Sequence, residues 1–150
     1  MTSRFAVRRH AAGFTTLELL VAVLIACVLS SIAYPSFRGQ IDKARRSDAI
    51  ATLMQAQMAQ ERWRADSANY GSLGEIGIAA ISGAGHYTLA VTSATSSGYE
   101  MLATARGAQQ RDADCRNLRL GVAGANFVYA SGPDAAVANS SSVNRRCWSL

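Results

Sequence analysis

"HAAGFTTLELLVAVLIACVLSSIAYP", residues 10–35, sets one carboxylate inside an otherwise apolar run. Glu18 stands among Leu17, Leu19 and Leu20, where water is normally excluded. A lone carboxylate in such a place is costly unless it meets a partner. The run from Leu19 to Leu29 is unbroken and apolar, and it continues through Ser30 and Ser31 to Tyr34. With Phe14 to Leu17 it offers roughly 20 residues, about the span of a bilayer core. Serine fits there because a helix lets its hydroxyl bond a carbonyl one turn back.

Outward from this run the charges are unevenly placed. Arg4, Arg8, Arg9 and His10 precede it, and no acidic residue occurs before Glu18. From Phe14 onward the tally is twelve Lys or Arg against ten Asp or Glu, so much of the net charge of +5 belongs to the first residues. Basic residues flanking an apolar span stay on the cytoplasmic side, which explains this basicity without nucleic acid. A secretory signal also has a basic start and an apolar middle. No small-x-small cleavage site with a compositional break follows near Ser30, so the run reads as a retained membrane helix.

Pro35 bends or loosens a helix, but helical character resumes beyond it. "DKARRSDAIATLMQAQMAQERWR", residues 42–64, is rich in good helix formers. Ile50, Leu53 and Met54 give it a short apolar stripe able to face a folded head. Residues 14–35 thus form a membrane helix, and residues 36–66 its amphipathic continuation, together about 75 Å long.

"NYGSLGEIG", residues 69–77, breaks the helix. Beyond it come short alternating runs. Tyr87, Leu89 and Val91 share one side of a strand, and Tyr99, Met101 and Ala103 share one side of another. "LRLGV" (118–122) and "NFVYA" (126–130) supply two more. The fold class is therefore α+β: a long N-terminal helix packed on a small antiparallel sheet, with residues 67–150 as the globular head. "SGPDAAVANSSSVNRR", residues 131–146, reads as a surface loop, and Trp148 beyond it either packs on the sheet, the favoured reading, or makes an exposed contact.

Of the three cysteines, Cys27 lies mid-span as a small hydrophobe, while Cys115 and Cys147 lie in the polar C-terminal part. Their pairing would close a loop worth about 3 to 4 kcal/mol; the alternative is two reduced thiols. No CxxC or Cys/His cluster supports a metal, and no cofactor motif occurs. His86 is the lone histidine after residue 13, and no Ser/His/Asp spacing makes a nucleophilic site. Glu75, Glu100, Asp112, Asp114 and Asp134 form no calcium loop. The chain reads as no enzyme.

"GFTTLEL", residues 13–19, after a short basic leader and before an apolar helix with Pro35, resembles the processing motif of type IV pilins. Thr16 and Leu17 stand where an aliphatic pair is commoner. "ARRSDA" (44–49), Asp112, Cys115 and Cys147–Trp148 look like the PilE-like minor pilins of Gram-negative type IVa pili. The resemblance implies that residues 1–13 are a leader cut by a prepilin peptidase between Gly13 and Phe14, with N-methylation of Phe14. It implies a subunit waiting in the inner membrane, its head periplasmic. An inner-membrane assembly platform would then move it from the lipid bilayer into a cell-surface pilus with other pilin subunits, supporting pilus biogenesis, adhesion or twitching motility. It gives Glu18 a partner in the new amine of Phe14, and makes Glu18 and Pro35 assembly residues.

Two other functions stay open. Arg106, Arg111, Arg116, Arg119, Arg145 and Arg146 bias the C-terminal half toward positive charge. Some DNA-uptake pilins resemble this family, and Arg116, Arg119, Arg145 and Arg146 are the candidate DNA contacts, their bland reading being a solvated face or pairing with Asp112 and Asp114. A type II secretion pseudopilin shares the N-terminal motif, although the cysteine pair and the Cys-Trp ending resemble pilins.

Overall fold

The computed structural model describes residues 13–149 and, within the first helix, not the side chains of 33–36. Helix α1 runs Thr16–Asp66, followed by β1 (Tyr87–Ala94), β2 (Gly98–Ala105), β3 (Asn117–Ala123), β4 (Asn126–Gly132) and α2 (Ser141–Trp148). Two short 3-10 turns, Gly107–Arg111 and Ala113–Cys115, join β2 to β3. The chain divides into two units between Arg38 and Gly39.

The first unit is the start of α1. Thr15 precedes the helix, and its Oγ1 accepts the Glu18 N–H at 3.2 Å, satisfying one of the amides that a helix start leaves without a partner. Leu17, Leu20, Leu24, Val28 and Ile32 are all more than 60 % exposed. Apolar residues face every direction, which suits lipid or other helices and not water. Ser30 Oγ donates to the Ala26 carbonyl at 2.7 Å, so its hydroxyl needs no outside partner. Among the described residues no single helix is long and apolar enough to cross a membrane. Thr16–Ile32 and Phe37–Asp66 meet that test together, by length and composition.

The second unit is built on the later part of α1. Its buried residues are Ala49, Thr52, Leu53, Ala56, Ala59 and Gln60, at three- and four-residue spacing. The apolar stripe expected at Ile50, Leu53 and Met54 is therefore rotated. Leu53 is fully buried, while Ile50 and Met54 only flank the core and Met58 is exposed. The reason is bulk. The sheet brings Tyr87, Tyr99, Met101, Leu118 and Leu120, so the helix contributes alanines that let the two layers approach. Gln60 is buried in the same stripe, and its amide closes both hydrogen bonds of Gly71: Oε1 accepts the N–H at 2.8 Å and Nε2 donates to the carbonyl at 2.6 Å.

The sheet is an antiparallel meander in the order β1-β2-β3-β4, so each strand pairs with its sequence neighbour. Tyr87, Leu89 and Val91 face the core with Tyr99, Met101, Ala103, Leu118 and Leu120. Register shifts once, between Val91 and Ser93. At Gly98 the β2–β3 pair is pinched: a Cβ there would lie 2.0 Å from the Val122 carbonyl oxygen, so only glycine fits.

Residues 131–146 are not simply a loop, because Ser141–Trp148 forms α2. Its eight residues are too few to hold a helix alone, and its serines conceal it in sequence. Anchors outside the helix hold it. Trp148 Nε1 donates to the Ala130 carbonyl at 2.9 Å, and its ring meets Tyr129 edge-on with centroids 5.0 Å apart. Asn144 donates to the Tyr129 carbonyl at 2.7 Å and accepts from Ser131 Oγ at 2.8 Å. Cys147 is bonded to Cys115, their α-carbons 5.4 Å apart.

Candidate functional site

The polar chemistry of the head gathers where α1, the two 3-10 turns and the disulfide meet. Arg46 of α1 grips Asp112 through two bonds, Nε to Oδ2 at 2.6 Å and Nη2 to Oδ1 at 2.9 Å. Only 12 % of the Arg46 side chain and 8 % of the Asp112 side chain are exposed, so this is a buried, two-pronged pair. Arg46 also donates to the Arg146 carbonyl at 3.2 Å, which links α1 to α2. Behind it, Gln109 is fully buried and donates to the Tyr87 hydroxyl, the Asp42 carbonyl and Asp112. Burial pushes the Tyr87 phenol up to about 12. It stays a neutral hydroxyl in this network.

Around that buried pair lies an arginine cluster. Asp42 is held by Arg111 at 3.3 Å and Asp114 by Arg146 at 2.9 Å. Asp112 goes to Arg46. The three carboxylates at this end are thus each taken by a different arginine. Arg116 spends its guanidinium on neutral carbonyls, Gln110 at 3.0 Å and Pro133 at 3.3 Å. Arg145 is exposed on α2 and has no carboxylate partner among the described residues. The expected pairing of Asp112 and Asp114 with the candidate arginines holds only for Arg146.

The disulfide brings Arg116, Arg145 and Arg146 to one neighbourhood. Arg119 stands apart, mid-β3 and opposite Leu102 and Ala130, with Glu100 at 4.0 Å. Arg46 and Gln109, which organise the cluster, were missed as site residues. Arg46 lay inside "ARRSDA", but nothing in the sequence pointed it at Asp112.

At the other end of α1, Gly13 has open space around it and Phe14 is 82 % exposed. Glu18 lies in the first turn, where a carboxylate is favoured by the positive end of the helix dipole. Residues 1–12 and the side chain of Pro35 lie outside the described residues, and the expected leader and Pro35 bend lie there with them. Cys27 is a free, exposed thiol.

Residues 35–119, more than half of the chain, match the family described as "Type IV minor pilin ComP, DNA uptake sequence receptor". The chain belongs to the type IV minor pilin ComP family. This pilin is also similar to type II secretion system core protein G of Klebsiella michiganensis, 30 % identical over 63 residues, which is 42 % of this chain and 44 % of that protein. Core protein G of Pectobacterium carotovorum subsp. carotovorum is 33 % identical over 60 residues, 40 % of this chain and 38 % of that protein. That of Escherichia coli K12 is 31 % identical over 58 residues, 39 % of this chain and 40 % of that protein. The pilin spans less than half the length of these relatives.

These matches correct the resemblance to PilE-like minor pilins: the chain belongs to the ComP family and is similar in part to core protein G. The residues that suggested otherwise explain the error. Within "ARRSDA", Arg46 holds Asp112 and Asp48 holds residues 82–86; Cys115–Cys147 and Trp148 fasten α2. All of them hold the head together, a task that does not separate one kind of pilin from another. The pilin is a structural subunit and not an enzyme. Among the described residues no group of His, Cys, Asp or Glu could hold a metal ion.

Proposed function

We propose that this subunit is a DNA-binding minor pilin acting in DNA uptake, with the arginines beside the disulfide as its phosphate contacts. The match of residues 35–119 to a family described as a DNA uptake sequence receptor carries this reading. The chemistry suits it, because Arg116 and Arg145 keep their charge while neighbouring carboxylates are occupied elsewhere. Arg146 is offset by Asp114 and Arg119 faces Glu100, so both contribute less.

The route to the filament follows the resemblance. A prepilin peptidase cuts between Gly13 and Phe14, Phe14 is N-methylated, and the subunit is held in the inner membrane with its head periplasmic. The assembly platform then transfers it to the pilus, where Glu18 neutralises the Phe14 amine of its own or the next subunit. Mass spectrometry of the exported subunit should find a chain starting at methylated Phe14.

The test uses full-length protein in detergent and labelled duplex DNA, titrated over a range of salt. Neutralised phosphates lower log K by about 0.9 per contact per decade of salt. Arg116→Ala with Arg145→Ala should flatten that slope by nearly two contacts. Binding that ignores salt, or a double variant with the wild-type slope, refutes the reading. A pseudopilin role is favoured by the similarity to core protein G. Deleting the gene in the source bacterium and scoring surface pili, secretion and DNA uptake together separates the two.

A further inference from the structure

We propose that Asp134, in the loop between β4 and α2, reads a base: it accepts a hydrogen bond from the amino group of a cytosine in the major groove. The inference rests on the DNA-binding reading above and names what would give that surface sequence discrimination. Phosphate contacts position a duplex without reading it, so the arginines alone treat all sequences alike.

The loop is seated among those arginines. Arg116 Nη1 donates to the Pro133 carbonyl at 3.3 Å, one residue before Asp134. At the other end, Asn139 Nδ2 donates to the Asp114 carbonyl at 2.6 Å, and the Asp114 carboxylate holds Arg146 at 2.9 Å. The segment between runs from the seat of Arg116 to that of Arg146, so a duplex gripped by Arg116 and Arg145 crosses it. Its shape is fixed. Val137 is buried and held at φ 48°, a left-handed conformation that β-branched residues avoid. Gly132 packs against it so closely that a Cβ there would lie 2.6 Å from the Val137 α-carbon. Asn139 donates its N–H to the Ser131 carbonyl at 3.0 Å, which folds the loop back on β4.

Residues 133–136 form the exposed tip, and Asp134 is their one side chain able to hydrogen-bond, the others being proline and alanine. Asp112 and Asp114 are taken by Arg46 and Arg146, whereas Asp134 has no ion pair among the described residues and so leaves the charge of Arg116 intact. Its Oδ1 accepts the Ala136 N–H at 2.9 Å, and Oδ2 has no partner among the described residues. A carboxylate only accepts hydrogen bonds, and phosphates repel it. In a duplex the groups able to meet it are base amines, and the N4 amine of cytosine is the usual partner of an aspartate in the major groove. Asp134 therefore opposes DNA in general and favours a sequence that sets a cytosine at this place.

The experiment offers full-length protein in detergent a pool of duplexes with a random core and sequences those it binds. It compares wild type, Asp134→Asn, Asp134→Ser and, as a control for lost charge, Asp66→Asn. Asp66 is an exposed carboxylate at the far end of α1. Both Asp134 variants keep an oxygen for the Ala136 N–H, and Asn puts a donor where Oδ2 was. All four proteins should therefore share one thermal midpoint. Wild type and Asp66→Asn should enrich a cytosine at one position. Both Asp134 variants should lose that preference and bind the unselected pool more tightly than wild type at low salt. In the selected duplex, exchanging that C·G pair for T·A should weaken wild type about tenfold and leave Asp134→Asn nearly unaffected. A cytosine preference that survives both substitutions overturns this inference and leaves the arginine contacts standing. Salt-dependent binding by wild type that enriches no sequence does the same. No salt-dependent binding by wild type overturns both.

Discussion

At the scale of single residues, Glu18 has two roles that are easily confused. Its main-chain N–H is bonded by Thr15 Oγ1 at 3.2 Å, and Thr-x-x-Glu is the spacing of a capping box. Its carboxylate, on the proposed reading, meets the amine created at Phe14. The two roles separate by substitution. Thr15→Ala removes the cap, worth about 1 kcal/mol at the helix end, and leaves the charge. Glu18→Gln keeps the Thr15 bond and removes the charge. Both variants should enter the membrane and be cleaved, but Glu18→Gln should reach sheared pili poorly while Thr15→Ala assembles close to wild type. Quantifying subunit in membranes and in sheared pili checks this; equal incorporation of the two would reduce Glu18 to a helix-end residue.

At the scale of elements, Asp48 shows how α1 shapes the head beyond its apolar contact. It accepts Ser82 Oγ at 2.5 Å, the Ala84 N–H at 2.9 Å and the His86 N–H at 3.2 Å, so one carboxylate sets the approach to β1. Burial pushes its pKa up, but these donors outweigh that and hold it below the usual carboxylate value. A depressed folded pKa stabilises above the unfolded value near 4, and the contribution is lost as pH falls through the folded pKa. Wild type should therefore lose denaturant resistance on acidification below about pH 4, and Asp48→Asn should lose measurably less over the same window. Identical acid profiles would remove Asp48 from this account. The strands were legible because alternation at Tyr87–Val91 and Tyr99–Ala103 has one physical reading. The rotated stripe on α1 was not, because alanine carries little hydrophobic signal although it marks the closest packing. Helix α2 was hidden for a related reason: it is held by the contacts of Trp148, Asn144 and Cys147 with β4 and Cys115, not by the helix propensity of its sequence.

At the scale of the whole head, Arg46 and Asp112 tie the helix to the segment between β2 and β3. Removing one member of a buried pair strands the other charge and costs about 3 to 5 kcal/mol. Arg46→Ala should lower the unfolding free energy by about that much in urea, and Arg46→Met with Asp112→Leu should recover a large part of it. A single variant as stable as wild type would mean that Asp112 finds water or another partner. Composition revealed the candidate DNA surface only in outline. An arginine-rich half is visible in the chain, but which arginines keep an uncompensated charge depends on Asp42, Asp112 and Asp114 choosing Arg111, Arg46 and Arg146. Those choices are made across three elements, and no local pattern encodes them.

The bond between Cys115 and Cys147, 32 positions apart, encloses β3, β4 and most of α2 in one covalent ring. If, on the proposed reading, those arginines hold DNA, a pull on the DNA would load the head between α2 and α1. Tension entering at Arg145 or Arg146 would pass through the sulfurs to Cys115 and bypass the ring. At about 3.4 Å for each extended residue, the ring withholds about 100 Å of chain from stretching. The head would yield by shearing β2 away from its neighbours before β4 could unravel, so the grip on the DNA would outlast much of the fold that carries it.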